Sequence, residues 1–190
     1  MVADVINIVA FLGVAILLYV VLSPVHRRVS GTFVILVAIA VAIMGIDLVN
    51  HAGALLVATD PSFAAAMGAG AADSLAALFL NLHPYGWLFA EVFFGLWLLP
   101  LGYVVYRSGY FPRLLGVLLM IGSASYLASF GLSITSPGLE SDLSFGFALP
   151  AAIAEISFLL WLLVRGANVE PRVEPQTVSG QPSLAAGLAG

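Results

Sequence analysis

Asp47, His51, Glu91 and Glu155 stand inside long apolar runs of the chain. A charge isolated at the centre of a bilayer costs about 2.5–3.5 kcal/mol even on permissive insertion scales, so each of these groups must find a partner, water or a proton. In the stretch "GIDLVNHAG", Asp47 and His51 are separated by one helical turn and share a face, and Asn50 adjoins them in sequence. A histidine beside a carboxylate exchanges a proton near neutral pH, which makes the pair a candidate proton or cation site. The competing reading is an internal hydrogen-bonded couple that locks helix packing, and such intramembrane contacts contribute about 0.6 kcal/mol. The oxygen and nitrogen donors of Asp47, His51, Glu91 and Glu155 would suit zinc, manganese or iron. One histidine with scattered carboxylates nevertheless lacks a specific ligand spacing, so no metal is assigned to them.

Other chemistries find little support. The chain has no cysteine, which removes disulfides, thiolate metal sites and iron–sulfur clusters. It contains no "GxSxG" and no "HExxH" pattern, and no pair of mid-span histidines to clamp a haem. No cofactor can be named from these residues. The net charge of −4 and the lack of a basic cluster give no sign of a nucleic-acid partner.

The elements that carry these groups follow from composition. Of the 190 residues, 62% are hydrophobic and 8% charged, and the mean hydropathy is +1.10. Soluble domains carry about 25% charged residues. The pattern predicts an all-α, polytopic membrane helix bundle with five spans near residues 5–22, 31–59, 85–106, 111–134 and 144–164. The first is read as a retained span, because its cations Arg27 and Arg28 follow the apolar run instead of preceding it. Together the spans form a transmembrane domain over residues 1–167, and residues 168–190, proline-rich and ending in Gly, Ala and Ser, are expected to be a disordered cytoplasmic tail. Residues 61–83 are too polar at Asp73 and too glycine-rich for another span; they are expected to form two short interfacial helices as an outer lid, the second capped by Asp73 or Ser74.

Arginine placement sets the expected orientation. Arg27 and Arg28, Arg107 and Arg113, and Arg165 and Arg172 fall on one side of a five-span chain, whereas Asp4, Asp60, Asp73, Glu140 and Asp142 fall on the other. The positive-inside rule then gives a cell-membrane protein with its N-terminus outside and its C-terminus in the cytoplasm.

From the helical rise, Asp47 lies ~24 Å and His51 ~30 Å above the cytoplasmic start of span two. Glu91 and Glu155 lie ~10 Å and ~16 Å below the outer boundary. Ser125, Tyr126 and Ser129 of span four occupy similar depths, and Glu155 is expected to carry its proton or to bond to Ser or Tyr of that span. The inner half has nothing ionisable between Glu155 and Arg165 or below Asp47 in span two. The expected geometry is an outward-facing acidic pocket, closed inward, built from Asp47, Asn50, His51, Glu91, Ser125, Tyr126, Ser129 and Glu155. His83 is read as an interfacial residue rather than a ligand, and His26 as a cytoplasmic loop residue. Such a pocket would bind or transfer a small cation, a proton or a lipid-like ligand. The alternative is an accessory subunit packing against other membrane subunits or a second copy; a membrane-embedded enzyme ranks third.

"LGYVVYRSGYFPRLLGVLL" and "AEISFLLWLLVRG" resemble a bacterial and archaeal membrane-protein family, domain of unknown function family 4386. The resemblance rests on Gly102, Tyr103, Arg107, Ser108, Gly109, Pro112, Arg113, Gly116, Glu155, Trp161 and Gly166, with "LHPYGWLFAEVFFG" similar to the family's middle region. It implies membrane location and no particular reaction. Family members usually begin with another span, so the resemblance makes this chain a five-helix form whose missing helix another chain could supply.

Overall fold

The computed structural model describes residues 1–168, and the side chains of all of these except residues 137–145. The expected tail from residue 169 onward, with Arg172, lies outside the described residues, as do the side chains of Glu140 and Asp142. The helices are α1 (Val2–Thr59), α2 (Pro61–Met67), α3 (Ala69–Ser108), α4 (Arg113–Thr135) and α5 (Pro137–Val164), with no strand among the described residues. The protein is an all-α membrane bundle.

Four helices are long and apolar enough to cross a membrane, where the sequence reading counted five spans. The difference lies in α1. Its 58 residues would reach ~87 Å as a straight rod, nearly three times a ~30 Å hydrocarbon core. Pro24 cannot donate an N–H within the helix, and His26 adopts extended backbone, φ −156° and ψ 86°. The chain folds back there: Asp4, Asn7 and Ile8 of the first arm line the same small cavity as Met44, Asp47 and His51 of the second. Residues 7 and 44 lie on opposite sides of the break, each about 28 Å from it along its own arm, so only antiparallel arms can bring them together. His26 is thus the hinge of this reversal. Its Nδ1 accepts from the Val29 N–H at 3.4 Å, in the manner of a cap on the second arm, and its ring meets Tyr103 edge-on, 6.4 Å between centroids.

The expected lid also divides differently. Asp60 caps α2 by accepting from the Ser62 N–H at 2.9 Å, but the second short helix is the beginning of α3, which runs from Ala69 to Ser108 without interruption. Asp73 and Ser74 cap nothing; the Ser74 hydroxyl donates to the Gly70 carbonyl inside the helix, 2.8 Å.

Between α3 and α4 the "RSGYFPR" turn forms as its residues dictate. Gly109 takes the left-handed conformation, φ 70°, that ends α3, and Pro112 precedes the first residue of α4. The two helices then pack without room for side chains. A Cβ on Gly102 would meet the Gly116 carbonyl oxygen at 2.7 Å, and one on Gly116 would meet that of Gly102 at 2.7 Å. Lipid tails are as apolar as leucine, so close packing of small residues, rather than escape from water, holds such helices together. Ser123 adds a hydrogen bond to the Gly95 carbonyl, 2.7 Å. The core of Leu22, Phe33, Val37, Leu98, Leu101 and Leu119 is almost wholly buried, whereas Ile6, Val9, Leu17, Ile46 and Leu163 point outward to lipid.

Candidate functional site

Two adjoining cavities occupy the end of the bundle away from the arginines. The larger, about 450 Å³, is lined by Asn7, Phe11, Met44, Trp87, Glu91, Phe94, Trp97, Tyr126, Ser129, Phe147, Ala148 and Glu155. It draws on both arms of α1 and on α3, α4 and α5. Glu91, Tyr126, Ser129 and Glu155 therefore come together as side chains around one space. The Tyr126 hydroxyl is a hydrogen-bond partner of the Glu155 carboxylate, and among the described residues no arginine or lysine lines the cavity.

The smaller cavity, about 80 Å³, holds Asp47, His51 and His83, with Asp4 on its wall. It shares Asn7, Met44 and Trp87 with the larger one. Asp47 is 6% exposed, and its carboxylate Oδ2 pairs with His83 Nδ1. The His51 and His83 rings lie 4.2 Å apart, centre to centre. The approach of α3 to α1 depends on Gly86, because a Cβ there would meet Asp47 Oδ1 at 2.6 Å. Asp47 and His51 share a face of α1, and His83 reaches them from one residue before Pro84 of α3.

The anticipated residues thus separate into groups. The acidic cluster around Asp47 recruits His83, which the sequence reading had assigned to the interface, and not Glu91 or Glu155, which line the deeper cavity. Ser125 lines neither cavity; its hydroxyl donates to the Phe147 carbonyl at 2.5 Å and ties α4 to α5. Asn50 is half-buried and does not line either cavity. Asn7, Phe94, Trp87 and Gly86 carried no distinguishing pattern. His83 did carry one: span two ends and span three begins at the same end of the bundle, so a histidine at the start of span three shares the level of His51.

A second space adjoins the larger cavity. An apolar cleft of about 390 Å³ shares Asn7, Phe11, Trp97 and Glu155 with it and continues past Val14, Leu18, Leu119, Ile156, Leu159 and Leu162. The cleft exists because α1 and α5 do not meet: among the described residues no Cα of one comes within 8 Å of a Cα of the other. The polar chamber therefore adjoins an apolar groove on its side, a feature absent from the expected pocket.

The family described as "Domain of unknown function (DUF4386)" matches residues 1–166. The chain belongs to that family. The match takes in the first arm of α1 as well as the "RSGYFPR" turn and Glu155. A relative of this DUF4386 protein, an uncharacterised protein of Archaeoglobus fulgidus, is 33% identical over 78 residues, which make up 41% of this chain and 44% of that protein. The matched stretch thus spans less than half of the relative's length. No solved structure matches the chain.

Proposed function

We propose that this DUF4386 protein crosses the membrane five times, the arms of α1 counting separately, and binds a lipid-like ligand with a cationic head group. The observation that carries this reading is the adjacency of two unlike spaces, which share Asn7, Phe11, Trp97 and Glu155 as lining. A chamber of 450 Å³ falls within the ~300–1,000 Å³ range of ligand cavities and offers the carboxylates of Glu91 and Glu155. Beyond Asn7 and Glu155, which it shares with the chamber, a cleft of 390 Å³ offers apolar contact to a chain. An amphiphile satisfies both spaces at once, whereas a bare cation or proton leaves the cleft unused. The five described arginines gather where α1 reverses, where α3 turns into α4 and where α5 ends. By the positive-inside rule that end is cytoplasmic, so the chamber lies in the outer half of the membrane.

Trp87 and Trp97 line the chamber and report on it. Titration of the purified protein with a long-chain alkylamine should change their fluorescence saturably, and Glu155→Gln should weaken that binding roughly tenfold or more, as loss of a buried charge pair does. Equal affinity for the amine and for an alkyl phosphate of the same chain length would end this proposal.

The length of the apolar cleft favours one second reading, in which a helix of another subunit fills the space between α1 and α5. Mild-detergent extraction should then co-purify a stoichiometric membrane partner, and a lone monodisperse species would count against it.

A further inference from the structure

The cluster around Asp47 is chemically distinct from the acidic chamber. Asp47, His51 and His83 each present one ligand atom, and these atoms lie within 4.8 Å of one another. We propose that these three side chains bind a divalent transition metal, zinc by preference, with a fourth coordination position free toward the acidic chamber. This assignment does not depend on the amphiphile reading.

The donor set selects the ion. Two imidazole nitrogens and a carboxylate oxygen suit zinc and its neighbours, whereas calcium and magnesium prefer oxygen alone and copper(I) prefers sulfur. Zinc arms of ~2.0–2.2 Å place tetrahedral ligands roughly 3.4 Å apart, and modest rotamer adjustment of three side chains that already share one cavity brings them there. The backbone is arranged for that convergence. Asp47 and His51 rise from one helical turn, and the missing side chain at Gly86 lets α3 deliver His83 against Asp47.

A second observation points to a ligand independently of the clustering. Asp47 is more than nine-tenths buried, and its Oδ1 is enclosed without any hydrogen-bond partner. Asp4 stands on the wall of the same cavity, and among the described residues no arginine lines it. Asp4 is already paired with the N-terminal ammonium at 2.6 Å, so the group that a bound dication would answer is the unpaired oxygen of Asp47. Three protein ligands with one open position is the arrangement of exchangeable and catalytic zinc sites rather than of closed structural ones. The cavity shares Asn7, Met44 and Trp87 with the acidic chamber, which puts a zinc-bound water beside whatever the chamber holds.

The test uses the full-length protein in detergent, stripped with EDTA and reloaded with zinc or cobalt(II) alone. Elemental analysis after desalting should find about one zinc per chain, and cobalt should give the intense visible absorption of a four-coordinate site. His83→Ala and His51→Ala should each lower metal affinity roughly 100-fold or more, since even outer-shell changes cost about 10–100-fold. Glu155→Gln and His26→Ala should leave it unchanged. The decisive variant is His83→Cys. The chain otherwise contains no cysteine, so a thiolate-to-cobalt charge-transfer band in that variant can only come from a ligand at this position. Wild-type protein that retains no metal, His83→Ala protein that retains it fully, or His83→Cys protein that binds cobalt without the new band would each overturn the assignment.

Discussion

At the arginine end, α3 and α4 approach until Gly102 and Gly116 leave no room for a Cβ on either helix. At the acidic end the same bundle stands apart around spaces of about 450 and 80 Å³ lined by Asp47, Glu91 and Glu155. The arginine end has its own recess of about 170 Å³, but among the described residues Val25, His26, Tyr103 and Arg107 line it and no carboxylate does. The two ends of one structure are therefore built differently. At the arginine end Gly102 and Gly116 let two backbones touch. At the acidic end bulky aromatics such as Phe94 and Trp97 border an open space, and Gly86 lets α3 close on Asp47 beside it.

The comparison can be broken by mutation, starting in the packed half. Phe33→Ala removes a side chain with no exposure and should cost about 3–5 kcal/mol, read as a lowered thermal midpoint in detergent. A loss no greater than that of an exposed control such as Leu163→Ala would show that the arginine half does not carry the fold. Gly116→Val should follow with about 1–3 kcal/mol, because the new side chain meets backbone atoms that cannot step aside. Here an unchanged melting curve would contradict the close approach of α3 and α4.

Smaller effects sharpen the boundary between structure and site. Ser125→Ala loses the bond to the Phe147 carbonyl and should cost about 0.6 kcal/mol. Ser129→Ala, on the chamber wall, should leave stability nearly untouched while altering tryptophan fluorescence in the amine titration. The reverse order would mean that the two serines have exchanged roles.

The smallest effect belongs to Asp60, which lies outside the packed bundle. Hydrogen bonds from Ser62 hold its carboxyl below the ordinary carboxylate range. A lowered folded-state value means that the stabilisation is complete above the unfolded-state value and disappears as pH falls through the folded one. Protection factors of the α2 amides, which correct for the intrinsic pH dependence of exchange, should accordingly fall on acidification in the wild type and stay low at every pH in Asp60→Ala. Protection in the wild type that does not change with pH would rule out the cap.

Much of this architecture was legible in single residues, and the limits of that legibility have a physical origin. The turn at Gly109 and Pro112 could be read because backbone conformation there is a local property of glycine and proline. The sharing of one face by Asp47 and His51 could be read because helical period is local as well. The partner of Asp47 could not, because His83 lies 36 positions away in the chain and meets it only through helix packing. Ser125 and Ser129 looked equivalent for the same reason: one helical turn apart, they differ only in what α5 places against them.

By itself, then, the sequence determined the membrane class, the segregation of arginines from carboxylates along the chain and the turn between α3 and α4. Each of these follows from composition or from residues within a turn or two of one another. The tertiary structure alone decided that residues 69–83 continue into α3, that His83 joins Asp47, and that α1 and α5 leave an apolar cleft between them. Helices that are apolar on every side carry no stripe to say which face turns inward. That choice is made by close packing of small residues and by a few long-range polar contacts, which exist only once the helices have met.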